Sequence, residues 1–155
     1  HPDWSGMLGD YQACIREQTS AIFVEAPLVS NTKEILGLES IHASTKTSLT
    51  KPRKKVNNCI YEIRRYKLKL GYDTVPKFLS LYEEGLHSKL YAEGTDPTTA
   101  LVTVLYTEVG LLNEVIEVWR HGDGMKAMER SRVAARSAEE WRNAIAEIAG
   151  LALEF

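Results

Sequence analysis

From Ile60 to Gly71 the chain reads Ile-Tyr-Glu-Ile-Arg-Arg-Tyr-Lys-Leu-Lys-Leu-Gly, with charged residues recurring between large apolar ones. At a period of two, Ile60, Glu62, Arg64, Tyr66 and Leu68 share one face of a strand, and Tyr61, Ile63, Arg65 and Lys67 share the other. Neither face is cleanly apolar. The face carrying Glu62 and Arg64 therefore meets either a half-exposed surface with an inward-leaning ion pair, or a polar patch in a sheet-on-sheet interface or cavity. Beyond Gly71 the period lengthens. Val75, Phe78, Leu79, Tyr82, Leu86 and Leu90 fall on one helical stripe, with Asp73 or Thr74 placed to cap it and Pro76 suited to its first turn.

Gly94, Asp96 and Pro97 mark a loop. Thr98–Glu108, rich in Val, Leu, Thr and Tyr with apolar residues on both faces, predicts a central strand. A turn at Gly110 leads to a hairpin partner over Asn113–Arg120. His121–Gly124 is a break with an N-cap candidate in Asp123, and Met125–Ala149 is helical with an interruption near Ala138. The order is strand, helix, strand, strand, helix. It predicts an α+β fold: a ferredoxin-like βαββα(β) unit whose antiparallel sheet carries two helices on one face. Its last strand is missing unless 150–155 begins one.

At the other end, Trp4, Met7, Leu8, Tyr11 and Ile15 make a helical stripe, and 20–29 predicts a strand that Pro27 weakens or ends. The spacing Trp4, Leu8, Tyr11 repeats in Trp141, Ile145, Ile148. This N-terminal helix-strand appendage is too small to bury a core of its own. Its strand is expected to join a sheet, by completing the following domain, pairing with another chain, or joining a preceding domain.

Residues 58–155 resemble the NIPSNAP family of the dimeric α+β barrel superfamily. The resemblance rests on Tyr61-Glu62-Ile63-Arg64-Arg65-Tyr66-Lys67-Leu68-Lys69 with Gly71, on 78–82, and on Thr107-Glu108-Val109-Gly110-Leu111-Leu112-Asn113 followed by Val115 and Val118-Trp119. Members typically carry two such domains in tandem. That implies a division into 1–29 as the tail of a first NIPSNAP-like domain (or a strand donor), 30–57 as a linker, and 58–155 as the second domain. It also implies a mitochondrial protein, peripheral to a membrane, known through partners rather than reactions.

The linker holds Lys46, Lys51, Arg53, Lys54 and Lys55 among Ser and Thr, with no acid from Ala43 to its end. It reads as a solvated tether or as a basic arm that docks on a protein partner or on anionic lipid. The whole chain, 155 residues with a formal net charge of −2, is too acidic for a nucleic-acid binder, and no aromatic residue interleaves the lysines. No apolar run is long enough to span a membrane.

Candidate chemistry is sparse. His1, His42, His87 and His121 show no ligand spacing, so no metal is expected, and no motif calls for a cofactor. The best polar constellation is Glu62, Arg64 and Glu117, with Tyr66, Trp119 and His87 as further wall residues of a pocket or interface. If the two strands are neighbours, Arg64 holds both carboxylates ionised, against acid catalysis. No catalytic residue is assigned. Two function classes stand open. One is a non-enzymatic scaffold, an accessory subunit of a larger assembly, dimerising or binding partners through the open sheet face. The other is a small-molecule-binding barrel, oxygenase-like by superfamily resemblance, with Asn57 or Asn58, Trp119, His87 and His121 cast in its roles. A cavity lined by Glu62, Tyr66, Trp119 and His87 favours the second class. A space filled by Phe78, Tyr82, Trp119 and Met128 favours the first.

Overall fold

The structure, a computed structural model, describes residues 20–29 and 59–154. The expected N-terminal helix, the linker with its basic residues, and Asn57 and Asn58 lie outside the described residues. The elements are β1 (Ile22–Glu25), β2 (Ile60–Leu68), α1 (Thr74–Leu90), β3 (Thr99–Val109), β4 (Glu114–His121), α2 (Gly124–Ala135), α3 (Glu139–Leu151) and β5 (Ala152–Glu154). They form one five-stranded sheet in the order β1-β3-β4-β2-β5, with every neighbouring pair antiparallel.

Strands β2 to β5 with their helices make the ferredoxin-like unit, and its final strand is present. The three residues of β5 pair with β2, and Lys69 N donates to Leu151 O at 2.8 Å. Of the two alternatives for the last strand, the segment 150–155 supplies it. Three residues suffice because β5 follows α3 without a loop. Strand β1 joins the opposite edge, beside β3. The chain leaves β1 at Pro27 and turns inward. Ala26 N donates to Val104 O at 2.8 Å, and Leu28 and Val29 are buried in the core. Burial of each of the latter two is worth roughly 1.5–3 kcal/mol, which anchors a strand too short to hold itself.

The alternation read from β2 sets the two faces of the sheet. Tyr66 and Leu68 are buried, whereas Tyr61 and Ile63 are exposed on the open face. On the covered face, α1 buries Phe78, Leu81, Tyr82, Gly85, Leu86 and Lys89, a stripe at three- and four-residue spacing. Gly85 lets α1 and α3 cross closely, since a Cβ there would stand 2.8 Å from Ala144 Cβ and 3.1 Å from Trp141 Cα. The β3–β4 turn uses Gly110 at φ 133° and Asn113 at φ 61°, and the Asn113 amide also donates to Lys69 O at 2.8 Å. Asp73 and Asp123 stand at the N-termini of α1 and α2 but make no capping hydrogen bond. Asp123 instead pairs with Arg130 at 3.0 Å.

Candidate functional site

The residues that the sequence analysis singled out on β2 and β4 face inward together. Register pairs Arg64 with Glu117 and Glu62 with Trp119. Glu117 has no solvent exposure. Its Oε1 accepts from Tyr66 Oη and from an Arg64 guanidinium N–H at 3.1 Å. Its Oε2 accepts from Tyr82 Oη and from Trp119 Nε1 at 2.7 Å. Burial alone would push this carboxyl up, but the charges of Lys89 and Arg64 and the tyrosine hydroxyls outweigh it and hold it below the usual range. The same burial, with Glu117 alongside, pushes both tyrosine hydroxyls well above theirs. Phe78 packs against both tyrosines, with ring centroids at 5.2 and 5.8 Å, so this end of the layer between sheet and helices is filled.

The other end is open. Between the sheet and helices α2 and α3 lies a cavity of about 490 Å³, whose wall includes Glu62, Arg64, Lys89, Trp119, His121 and Arg132. Glu62 is held from three sides, by Arg64 Nε at 2.8 Å, by Arg132, and by His121 Nε2 at 3.1 Å. Burial opposes its ionisation, but the hydrogen bonds from Arg64 and Arg132, the Arg64 charge and the His121 hydrogen bond bring its pKa down to about 2. His121 Nδ1 lies 3.0 Å from Thr99 Oγ1, which accepts from Ser131 Oγ at 2.9 Å. A chain of hydrogen bonds thus runs Ser131–Thr99–His121–Glu62 along the cavity wall. The lowered pKa of both Glu62 and Glu117 favours their ionised forms, with Arg64 among the causes in each case.

Lys89 is the group that sequence reasoning missed. It occupies a core position of the α1 stripe, and its Nζ is buried with no hydrogen-bond partner. The ammonium sits 3.6 Å from the ring centroid of Trp119 and 4.2 Å from that of Trp141. Burial lowers its pKa, Glu117 offsets part of that, and Arg64 and Arg132 add to it, so that it falls to about 7. The signal was present, as a lysine eleven residues after Phe78 and seven after Tyr82 on an otherwise apolar face. Arg136 and Arg142 also line the cavity, are exposed, and have no carboxylate partner among the described residues.

The structure does not bring His87 to this site. It is exposed, and its ring lies 4.5 Å from that of Tyr91. Tyr66 faces inward but belongs to the filled end. Among the described residues, no group of His, Cys, Asp and Glu is arranged to hold a metal ion, and no helix is long and apolar enough to cross a membrane. A larger groove of about 830 Å³ lies at the opposite end of the fold, lined by Leu70, Tyr72, Leu79 and Leu112. Glu83 is its only charged wall residue, so it lacks the chemistry of the smaller cavity.

No family model and no curated protein matches this sequence. Solved structures do. A NIPSNAP family protein of unknown function from Agrobacterium tumefaciens str. C58 is similar at a TM-score of 0.51 and 26% identity, over 61% of this chain and 79% of that one. An uncharacterized NIPSNAP-like domain protein from Burkholderia xenovorans has the same fold at a TM-score of 0.51 and 23% identity, over 63% of this chain and 78% of that one. A second NIPSNAP family protein from Agrobacterium tumefaciens str. C58 does so at 0.51 and 22%, over 63% of this chain and 86% of that one. Strand order, the motifs on β2 and along the β3–β4 hairpin, and these likenesses converge: the chain carries a NIPSNAP domain.

Proposed function

We propose that this domain binds a small amphipathic anion in the cavity between its sheet and helices α2 and α3. The observation that carries the reading is the charge inventory of the wall. Glu62 is its one carboxylate, and Arg64, Arg132 and His121 already hold it. Among the described residues, Arg136, Arg142 and the buried Lys89 ammonium are left without an acidic hydrogen-bonding partner. Trp119, Trp141, Met128 and Ile145 supply apolar wall between these charges, and the volume is in the range that small ligands fill. Of the two arrangements that separated the function classes, each is half met. Phe78 and Tyr82 fill one end, while Glu62 and Trp119 line an open cavity at the other. Of the residues cast in oxygenase-like roles, Trp119 and His121 meet in the cavity wall.

The test is a titration of the full chain with phenyllactate, an aromatic carboxylate, followed by tryptophan fluorescence. Saturable binding is expected to weaken by about tenfold, roughly 1.4 kcal/mol, in the Arg136→Gln, Arg142→Gln double variant. Both arginines are exposed, so folding is unaffected. Binding that is absent, or indifferent to both substitutions, overturns the reading.

The scaffold reading keeps one specific support, the open face of the sheet. Tyr61 and Ile63 are 61% and 69% exposed there. By register they lie beside Arg120 and Val118 of β4, and Ile116 and Leu105 continue the patch across β3. An apolar face of this kind favours pairing with a second copy or with a partner's sheet. Sedimentation of the full chain across a range of concentrations tests it, with a monomer throughout as the outcome that removes it.

A further inference from the structure

We propose that Lys89 is a nucleophilic amine, and that the ligand of this cavity is a 2-oxo acid, whose carboxylate rests on the cavity arginines while its carbonyl carbon condenses with Lys89 Nζ. The proposal deepens the anion-binding reading and rests on it.

The geometry separates Lys89 from a structural cation. A buried ammonium that serves the fold is normally found donating to a carboxylate or carbonyl, because an unmatched charge in the interior is costly. Here the adjacent buried carboxylates are already occupied. Glu117 accepts from two tyrosines, a tryptophan and an arginine, and Glu62 from two arginines and His121. Neither accepts a hydrogen bond from Lys89. The amine lies instead against two indoles in the wall of a cavity that carries free cationic charge. Desolvation by aromatic walls together with neighbouring guanidinium groups is the environment that keeps a lysine amine neutral and nucleophilic near pH 7, and the lowered pKa of Lys89 agrees with it.

The arginines favour a ligand with a carboxylate, and the indoles favour a planar apolar remainder. The step balances without a further reactant. The neutral amine adds through its lone pair to the carbonyl carbon, forming a carbinolamine. The carbonyl oxygen leaves as water with two protons, both from nitrogen in net terms, and a carbon–nitrogen double bond remains. The resulting imine takes up one proton to become an iminium. Lys89 is a wall residue of the cavity, so a carbonyl meets Nζ from a ligand already bound there, and condensation is saturable in ligand.

The experiment incubates the full chain at pH 7.5 with phenylpyruvate and sodium cyanoborohydride and maps the reduced adduct by peptide mass spectrometry. Labelling is expected at Lys89 in preference to the exposed Lys77, by on the order of tenfold or more, because ordinary lysines are almost wholly protonated at that pH. Phenyllactate, which offers the carboxylate without the carbonyl, is expected to protect Lys89. Labelling confined to exposed lysines, while phenyllactate still quenches tryptophan fluorescence, overturns the amine role and leaves the anion reading standing. No quenching and no selective labelling overturns both. The site is read on the unaltered chain, so the result does not depend on a variant that folds.

Discussion

Glu117 on β4 and Lys89 on α1 lie in the same layer between sheet and helices, and both are removed from water. Around Glu117 every lone-pair direction is used: four donors converge on two oxygens, and the space beyond them is closed by Phe78. Around Lys89 no acceptor is provided, and the space beyond it is open. A buried charge that is fully hydrogen-bonded contributes to one defined fold, and removing it exposes its partners' unmet needs. A buried charge left without a hydrogen bond destabilises the fold, and a ligand that supplies the missing partner would recover that cost. On the proposed reading, the filled end is the structural half of this layer and the open end its ligand-binding half.

The largest effect tests the filled end. Glu117→Gln removes one of the two counter-charges of Arg64 and sets an amide N–H₂ against the buried Tyr and Trp donors. A loss of about 3–5 kcal/mol is expected, read as a shift of the urea midpoint at constant slope. A loss below about 1 kcal/mol would show that water reaches this carboxylate, and the contrast with Lys89 would disappear.

The second prediction has the opposite sign. The pKa of Lys89 lies near 7 in the folded protein and near 10.5 in the unfolded chain. Between those values the unfolded state binds more protons, so this residue makes stability rise with pH across the window from about 7 to 10.5. Below pH 7 its full penalty is present. Lys89→Met, which keeps the stem and removes the charge, is expected to stabilise the fold at pH 6 by about 1–3 kcal/mol, with the advantage fading toward pH 10. Its neighbours Glu117 and Glu62, held low, and Arg64, held high, stay charged throughout that window and add no slope of their own. A variant destabilised equally at every pH would make Lys89 a structural partner of Glu117. Glu62 works on the acid side. Its folded pKa of about 2 gives stability that is present above 4.5 and lost as pH falls toward 2.

A smaller effect sharpens the filled end. Tyr82→Phe keeps the ring against Phe78 and Trp141 but leaves Glu117 Oε2 with Trp119 alone. About 1–2 kcal/mol should be lost, well short of Glu117→Gln, because the carboxylate keeps three donors. Equal losses would mean that the hydroxyl, not the charge network, holds this end together.

Much of this contrast was legible in the chain, and its limits have physical causes. Period two puts Glu62 and Arg64 on one face of β2, and the hairpin topology makes Glu117 a neighbour, but the pattern leaves open which face is inward because neither is cleanly apolar. Lys89 was passed over because the stripe could be read as ending at Leu86 and Leu90. A lysine beside them on a helix is ordinarily a solvated flank, and only the crossing of α3, with Trp141 opposite, buries it. His87 and His121 are both candidates by sequence, and a histidine at the break before a helix is ordinarily a solvated one. His121 proved to be the last residue of β4, in line with Trp119, Glu117 and Val115. The fourth strand stays an open alternative in the sequence because three residues carry no periodicity. The edge that β1 joins is set by long-range pairing with β3, which local pattern does not encode.

The smallest expected effect on stability comes from the outer face and isolates the inner one. Ile63 sits between Glu62 and Arg64 on β2, yet its side chain points to the opposite side of the sheet and is 69% exposed. Ile63→Glu should therefore change monomer stability by no more than about 0.5 kcal/mol, since it touches neither the Glu117 network nor the cavity. If the open face pairs with a second copy, four such side chains (Ile63 and Val118 from each protomer) meet near the interface centre, and burying two carboxylates there is prohibitive. The variant should sediment as a monomer where the parent self-associates, and should bind phenyllactate with unchanged affinity. Lost binding in a folded monomer would mean that the cavity is shaped by the dimer. The functional half of the layer would then extend through the sheet, and the division between Glu117 and Lys89 would no longer coincide with the division between structure and function.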